Sequence, residues 1–596
     1  MLLPLAFLAL IELSLWVFDA YPQPPLFLEM EEDPAYMEIN SQVGERYFDS
    51  NLMPVPNLYP QRFATQKGSQ TTRIICLGGS TTAGFPYEMT VPFPRQLAMM
   101  LEKNHPNREF EVLNLGLSAI NSFTVLDWVP EILDQDPDLI LMYMGHNEFY
   151  GAYGTGSTIS LGHDGRVVRL VMKMQKFRVV QMISSFLRGM SEPPSADENP
   201  TLMEKVIDDK FIESNSVLRV KTRQNFASNM EIILSKFKEA GVPVVVSNLA
   251  SNMKDQIPLD ITSNPGKGSS KAYALYQKGL KEFNQGDTAT AYISFRRARN
   301  SDQVPFRGND YINEIIFNTA SQYGARQVDM EIAFRRASMF GVPGADLFCD
   351  HLHPNPEGYH LMAREFLDVI YNSGIISRPR NDVLSTEPIY VTDLDWEIGN
   401  LKIFKLLHRW PFGDKSVDYS EYVSPYEPAT QEITKEYLFN HKVWGKAHSE
   451  MADHYLQNSE FEKACREFQA IIEIYPLKTE FYTKLVECAK QARLYSLVEQ
   501  TCERALEHAE ITGMFHYNLA IAKRVAGDMS SALNHIEIAL KAPELTRIQS
   551  ANVNFTYARF LIDMRLPSEA ASVLTQIVED VPEFTQAREL LNQLLD

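Results

Sequence analysis

The sequence predicts an α/β domain built on a parallel sheet and, after it, an all-α domain of repeats. From Arg73 onward, short apolar runs (RIICLGG, EVLNLG at 111–116, LILMYMG at 139–145, VPVVVSNLA at 242–250) alternate with stretches of helical period, PFPRQLAMMLEK, TVLDWVPEIL and FASNMEIILSKFKEAG. Strands alternating with helices imply a parallel sheet covered on both faces, with its chemistry in the loops at the carboxyl ends of the strands. Over residues 446–596 strand alternation stops, apolar spacing is helical throughout, and small residues recur at a period close to 34.

Composition bounds the partners. The 596 residues allow about three to six domains of roughly 100–200 residues. A net charge of −20 repels phosphate backbones and argues against nucleic acid as a partner. Hydrophobic residues at 45% with 22% charged leave ample material for cores. The five cysteines (Cys76, Cys349, Cys465, Cys488, Cys502) are odd in number and lack metal-type pairing, so neither a disulfide framework nor a zinc ribbon is indicated. The last three fall at repeat-core positions and read as small apolar packers.

At the N-terminus, Leu2 to Phe18 (LLPLAFLALIELSLWVF) is nearly unbroken apolar sequence of about 25 Å as a helix, the lower limit for a bilayer. Residues 1–20 therefore read as a membrane anchor or signal segment, uncleaved because Phe18-Asp19-Ala20 is a poor cleavage site. The acidic, Pro-rich YPQPPLFLEMEEDP then suits the far side of a membrane, so 21–72 reads as an extracytoplasmic lead-in, in a bacterial periplasm. Glu12 keeps a buried helix of a soluble domain as the alternative.

In the C-terminal region Ala464, Val498, Ala532 and Ala570 are spaced by 34, 34 and 38. Ile471, Ala505, Ala539 and Ile577, and Phe468, Cys502, Ile536 and Leu574, follow the same steps. This resembles the tetratricopeptide repeat, a helix-turn-helix unit with a small residue at its crossing; Pro476 and Pro582 fit, while His448, Tyr482, His516 and Asn554 stand where the family often carries Trp. Four degenerate repeats are expected over 446–596, with a groove for a protein partner. A fifth, isolated copy with Gly279, Gly286, Ala291, Phe295 and Ala298 is expected as an insertion at 270–303 that must pack on the α/β domain, and 381–445, entered through RPRNDVLSTEP, reads as a connector. Between Arg166 and Arg188, Arg166, Arg169, Lys173 and Lys176 form a basic helical stripe, suited to an interfacial contact, a lid, or packing against an acidic part of the same chain.

The strand RIICLGG runs into Ser80 in GGSTTAG. Gly79 and Gly84 have the spacing of a phosphate-binding loop, yet Phe85-Pro86 occupy the places of its Lys and Ser/Thr, which removes that reading. A serine in a Gly-rich turn after a parallel strand can instead be a nucleophile. DHLHPNPEGYH at 350–360 supplies Asp350 and His353, an imidazole to take the serine proton and a carboxylate to hold its tautomer. MYMGHNEF offers the Asn147 amide and NLGLSAIN the Gly116 N–H as donors to an oxyanion. A metal site from Asp350, His351, His353 and His360 is the competing reading; nothing elsewhere in the chain pairs with them. His146 and Glu148 flank Asn147 and are assigned no catalytic role.

Together these blocks resemble the SGNH hydrolases, also called GDSL esterases: Ser80, Gly116, Asn147 and His353 match the S, G, N and H in order, with Asp350 three residues before the histidine. Two departures are Gly79 in place of the first block's Asp and Gly-His-Asn-Glu in the third block. The resemblance covers about 73–375 and implies a flavodoxin-like three-layer α/β/α domain over 73–380. It further implies a Ser80-His353-Asp350 triad, an oxyanion hole from Ser80, Gly116 and Asn147, an ester of a carbohydrate or lipid as substrate, and no cofactor or metal. The expected function is a membrane-anchored serine esterase removing an acyl group, acetyl foremost, with the repeats recruiting a partner or substrate. An O-acyltransferase acting on envelope polysaccharide and a catalytically inactive repeat scaffold are the alternatives.

Overall fold

A computed structural model describes residues 2–159, 162–188, 202–207, 210–263, 269–379, 384–387, 391–413 and 417–595. Parts of the expected connector, including 380–383 of RPRNDVLSTEP, lie outside the described residues. The chain forms two compact units: Met1–Ile389 with Ile398–Val423, and Tyr390–Glu397 with Ser424–Asp596.

In the first unit, α1 (Leu2–Val17) is 16 residues long, about 24 Å at 1.5 Å per residue, against a hydrocarbon core of about 30 Å. Among the described residues no helix is long and apolar enough to cross a membrane. This corrects the reading of residues 1–20 as a transmembrane signal anchor, and with it the single-pass, periplasmic placement of the bulk of the chain. Glu12 supplies a local reason for its own presence in an apolar helix. Its carboxylate accepts the N–H groups of Arg178 and Val179, both at 2.8 Å, and so caps a later helix, Arg178–Arg188.

Residues 21–72 hold an antiparallel sheet of β1 (Phe27–Glu29), β2 (Tyr36–Ile39) and β3 (Arg62–Ala64). The buried Arg46 nearby pairs with Glu131 at 2.7 Å, and Tyr47 donates to Asp127 at 2.7 Å. The α/β core follows: β4 (Thr71–Gly78), α2 (Ser80–Ala83), α3 (Phe93–Asn104), β5 (Glu109–Gly116), α4 (Ser122–Leu133) and β6 (Leu139–Tyr143). After them come α5 (Gly165–Met174), α6 (Arg178–Arg188), α7 (Leu202–Val206), α8 (Val217–Glu239) and β7 (Val244–Ser247). The unit continues through α9 (Leu259–Thr262), α10 (Lys271–Asn284), α11 (Thr288–Ser301), α12 (Asp310–Tyr323), β8 (Arg326–Val328), α13 (Met330–Ala337) and α14 (Pro356–Asn372).

The strands pair in parallel in the order β5-β4-β6-β7-β8, the flavodoxin-like arrangement. Every residue of β4, β6 and β7 is buried, as a sheet covered on both faces requires. α3 packs on β5 and on α14, while α8 packs on α4 and α12, giving the helical layers. β8 is only three residues long, and Arg326 and Gln327 interrupt its apolar pattern, which is why alternation did not reveal it. The insertion forms the antiparallel pair α10–α11, with Tyr276, Ala291, Phe295 and Ala298 clustered against Met253 and Val342 of the α/β domain. Two members of the basic stripe are engaged within their own unit: Arg169 on α5 donates to Asn229 at 2.7 Å, and Lys176 pairs with Asp127 at 2.7 Å, while Arg166 and Lys173 are exposed.

The second unit holds α16 (Pro428–Phe439), preceded by α15 (Asp393–His408), whose first residues alone belong to it. It continues in helix pairs: α17 (Trp444–Gln457) with α18 (Phe461–Ile474), α19 (Thr479–Gln491) with α20 (Tyr495–Leu506), α21 (Gly513–Val525) with α22 (Met529–Leu540), α23 (Arg547–Asp563) with α24 (Pro567–Asp580), and a last helix α25 (Thr585–Leu595). Successive helices pack on one another, the solenoid pattern. All twelve residues of the three periodic sets are buried. His448, at a Trp position of the repeat, is fully buried between Glu467, which faces its Nδ1 at 2.5 Å, and Asp395, 3.5 Å from its Nε2.

Candidate active site

The register of the sheet sets Gly78 beside Gly116 on one side and beside Tyr143 on the other, so the loops leaving β4, β5 and β6 share one edge. After β4 the chain turns at Gly79 straight into α2, with Ser80 as its first residue. A first helical residue has no intrahelical acceptor for its N–H, so the Ser80 amide is available to a ligand. α2 stops after four residues at Gly84, whose φ of 104° is left-handed and favours glycine. Gly79 has a steric reason: a Cβ there would come within 2.9 Å of the Asn147 amide nitrogen.

Asp350 and His353 come from the loop before α14, closed by hydrogen bonds from Cys349 N–H to His353 O at 2.8 Å and from Asn355 N–H to Leu347 O at 3.0 Å. One Asp350 oxygen accepts the Leu352 and His353 N–H groups at 2.9 and 2.8 Å. The other lies 2.6 Å from His353 Nδ1. The opposite ring nitrogen, Nε2, lies 2.7 Å from Ser80 Oγ. With Nδ1–H donating to the carboxylate, Nε2 is the acceptor for the serine proton. Burial alone raises the Asp350 carboxyl, but the imidazoles of His353 and His351 outweigh it and hold the group well below the usual carboxylate range.

A pocket adjoins Ser80, lined among others by Gly79, Thr81, Ile120, Val125, Met144 and Asn147. Of the residues expected at the site, Ser80, Asp350, His353 and Asn147 are brought together. Gly116 is not: its N–H donates to Asn114 Oδ1 at 2.9 Å, and it is absent from the cavity wall. Its missing Cβ serves packing, since one would meet Ala83 N at 2.1 Å. The turn after it reaches the serine instead: Ile120 and Asn121 line the cavity and the buried Ala119 has φ 59°.

The two flanks of Asn147 are structural clamps. His146 Nδ1 accepts the Gly308 N–H at 2.9 Å, and burial keeps this imidazole well below its ordinary pKa, hence neutral. Glu148 accepts the Ser122 N–H at 2.9 Å and its hydroxyl at 2.7 Å at the start of α4; burial pushes its carboxyl up to about 7. His351 stands 3.2 Å from Asp350, while His360 lies apart, 3.1 Å from Gln96. Ligand atoms of Asp350, His351 and His353 fall within 4.8 Å of one another, but both Asp350 oxygens are already engaged by N–H groups.

Three contributors were not foreseen. The Phe85 ring lies 4.7 Å from that of His353, and its carbonyl accepts the Tyr359 hydroxyl at 2.6 Å. Asn252, beyond the carboxyl end of β7, donates its side-chain amide to Asp350 O and its N–H to His351 O, both at 3.0 Å. Arg307 in turn donates to Asn252 O at 2.9 Å. Asn252 could have been suspected, since strand carboxyl ends carry the site in such sheets.

Residues 76–361 match the GDSL-like Lipase/Acylhydrolase family. Among solved structures, the chain is similar to a putative acylhydrolase from Bacteroides fragilis, at 10% identity over 52% of this chain and 91% of that one with a TM-score of 0.27. It is similar as well to an acetylxylan esterase from Geobacillus stearothermophilus, at 13% identity over 51% of this chain and 96% of that one, TM-score 0.27. The helical region is similar to YrrB, a TPR protein with an unusual peptide-binding site, at 17% identity over 28% of this chain and 82% of that one, TM-score 0.22. No curated protein matches the chain. The family match covers the α/β domain, just under half of the chain, and the protein is a serine hydrolase acting on ester bonds.

Proposed function

We propose that Ser80 is the nucleophile, His353 the general base and Asp350 the group that orients it, and that the acyl group is short, acetyl foremost. The observation that carries this reading is the unbroken relay from Ser80 Oγ through His353 to Asp350, at 2.7 and 2.6 Å. Ser80 Oγ attacks the ester carbonyl as its proton passes to His353 Nε2, and the tetrahedral oxyanion is met by the Ser80 N–H, the Asn147 amide and the backbone of the 119–121 turn. Collapse expels the alcohol, protonated by the imidazolium, and leaves an acyl-enzyme. Water, deprotonated by His353, then releases the carboxylic acid and restores the serine. The pocket beside Ser80 is walled by Ile120, Val125 and Met144, which leaves little room next to the hydroxyl and supports a short acyl group. The repeats, by this reading, recruit a protein partner or the substrate and lend no side chain to the chemistry.

A fluorophosphonate probe tests the assignment. The protein is expected to take one label per chain, on the Ser80 peptide, and Ser80→Ala to take none. Equal labelling of the two proteins sinks the nucleophile assignment.

A further inference from the structure

Among the described cysteines, Cys465 and Cys488 alone touch, with Sγ atoms 2.9 Å apart. Cys76 and Cys502 are buried and free, and Cys349 meets Tyr87 Oη at 3.3 Å. Cys465 lies on α18 and Cys488 on α19, so the contact joins the first repeat to the second. Both side chains are 1% exposed. A disulfide needs about 2.05 Å, so the two sulfurs need approach by only about 0.9 Å.

The pairing is not a feature of the repeat. One repeat further on, the corresponding positions are Glu499 and Ala522, and there Glu499 binds Lys523 at 2.7 Å. Small apolar packing at the first junction required no sulfur, as Ala522 shows at the second. The local hydrogen bonds also differentiate the two thiols. Cys465 donates to Cys488 Sγ, and Cys488 donates to Phe461 O at 2.9 Å. The bond from Cys465 draws the Cys488 thiol below its ordinary pKa, which favours Cys488 as the attacking sulfur.

We propose that Cys465 and Cys488 form an oxidisable dithiol that closes as a disulfide between consecutive repeats on reaction with a hydroperoxide. The Cys488 thiolate attacks a peroxide oxygen, the O–O bond breaks, and the leaving hydroxide takes up the thiol proton as water. Cys488 is now a sulfenic acid. The Cys465 sulfur displaces hydroxide from it, the S–S bond forms, and the Cys465 proton leaves in a second water. Two thiols and one hydrogen peroxide thus give one disulfide and two waters, each sulfur being oxidised by one electron. Hydrogen peroxide is close to water in size, so local opening of the α18–α19 contact suffices to admit it.

The full chain is treated with equimolar hydrogen peroxide, quenched with catalase, alkylated in denaturant and mapped by peptide mass spectrometry. Of the five cysteines, Cys76, Cys349 and Cys502 are expected to be alkylated, and the Cys465 and Cys488 peptides to appear joined, short of two hydrogens and separable by dithiothreitol. The oxidised protein is expected to melt about 5 to 10 °C above the reduced one in its helical transition. Cys465→Ser and Cys488→Ser abolish the joined peptide and the shift, whereas Cys502→Ser leaves both. Five alkylated cysteines after peroxide, or a sulfinic acid on Cys488 with Cys465 still alkylated, overturns the proposal.

Discussion

Gly79 and Asn147 constrain each other. The Asn147 amide, proposed above as an oxyanion donor, lies close to Gly79, where an added methyl group would press on it at 2.9 Å. Gly79→Ala is expected to lower kcat roughly 10- to 100-fold, the order of cost of disturbing one oxyanion donor, with KM little changed; an unaltered kcat shows that the amide makes no such contact. Asp350→Asn leaves the shape of the loop but offers His353 the wrong partner for its Nδ1–H, and a fall in kcat of about 10³- to 10⁴-fold is expected in steady-state kinetics. Asp350 also couples stability to pH. Its carboxyl sits below the value of an unfolded chain, so its contribution is present above that ordinary value, near 3.9, and is lost as pH falls through the depressed one. Urea titrations of the wild type and Asp350→Asn are expected to converge at low pH and diverge above about pH 4. At this scale Ser80, Asp350 and His353, which the structure brings into one hydrogen-bonded relay, were legible because they sit in recognisable loops. The Gly116 assignment failed because two glycine-like positions lie close together after β5, and only the hydrogen bond to Asn114 tells which backbone faces the serine.

Among the elements, β4, β6 and β7 were visible as mainly apolar runs, since burial on both faces favours them, and β5 was visible through Val112, Leu113 and Leu115 although Glu111 and Asn114 interrupt it. The edge strand β8 and the short β1–β3 sheet were not, because three- and four-residue strands carry too little pattern. α1 misled for a related reason: its composition alone resembles a span, and only the docking of Glu12 on the start of α6 reveals another use for the charge. In the repeats, His448 makes a measurable prediction. Burial disfavours its charge, but Asp395 and Glu467 prevail and raise its pKa to about 9. A histidine raised in the folded state stabilises fully below about 6.5, its unfolded value, and loses that contribution as pH rises through about 9. The helical transition is expected to lose about 1 to 3 kcal/mol between pH 6 and pH 10, read by denaturant midpoint, and His448→Gln to remove that dependence.

For the whole molecule, two units, each with its own core, replace the three to six domains that length allowed. Every residue named at the candidate site belongs to the first unit, so deletion of 424–596 is expected to leave turnover of a small ester and fluorophosphonate labelling intact. Loss of both in a folded truncation means that the repeats complete the site. The central claim is a covalent acyl-enzyme on Ser80, and the most direct measurement is rapid-quench mass spectrometry during turnover of a small acetyl ester. An acetyl group is expected on the peptide that contains Ser80, appearing before steady state and absent from Ser80→Ala. Turnover with no acetyl on Ser80, or with acetyl on another residue, contradicts the mechanism.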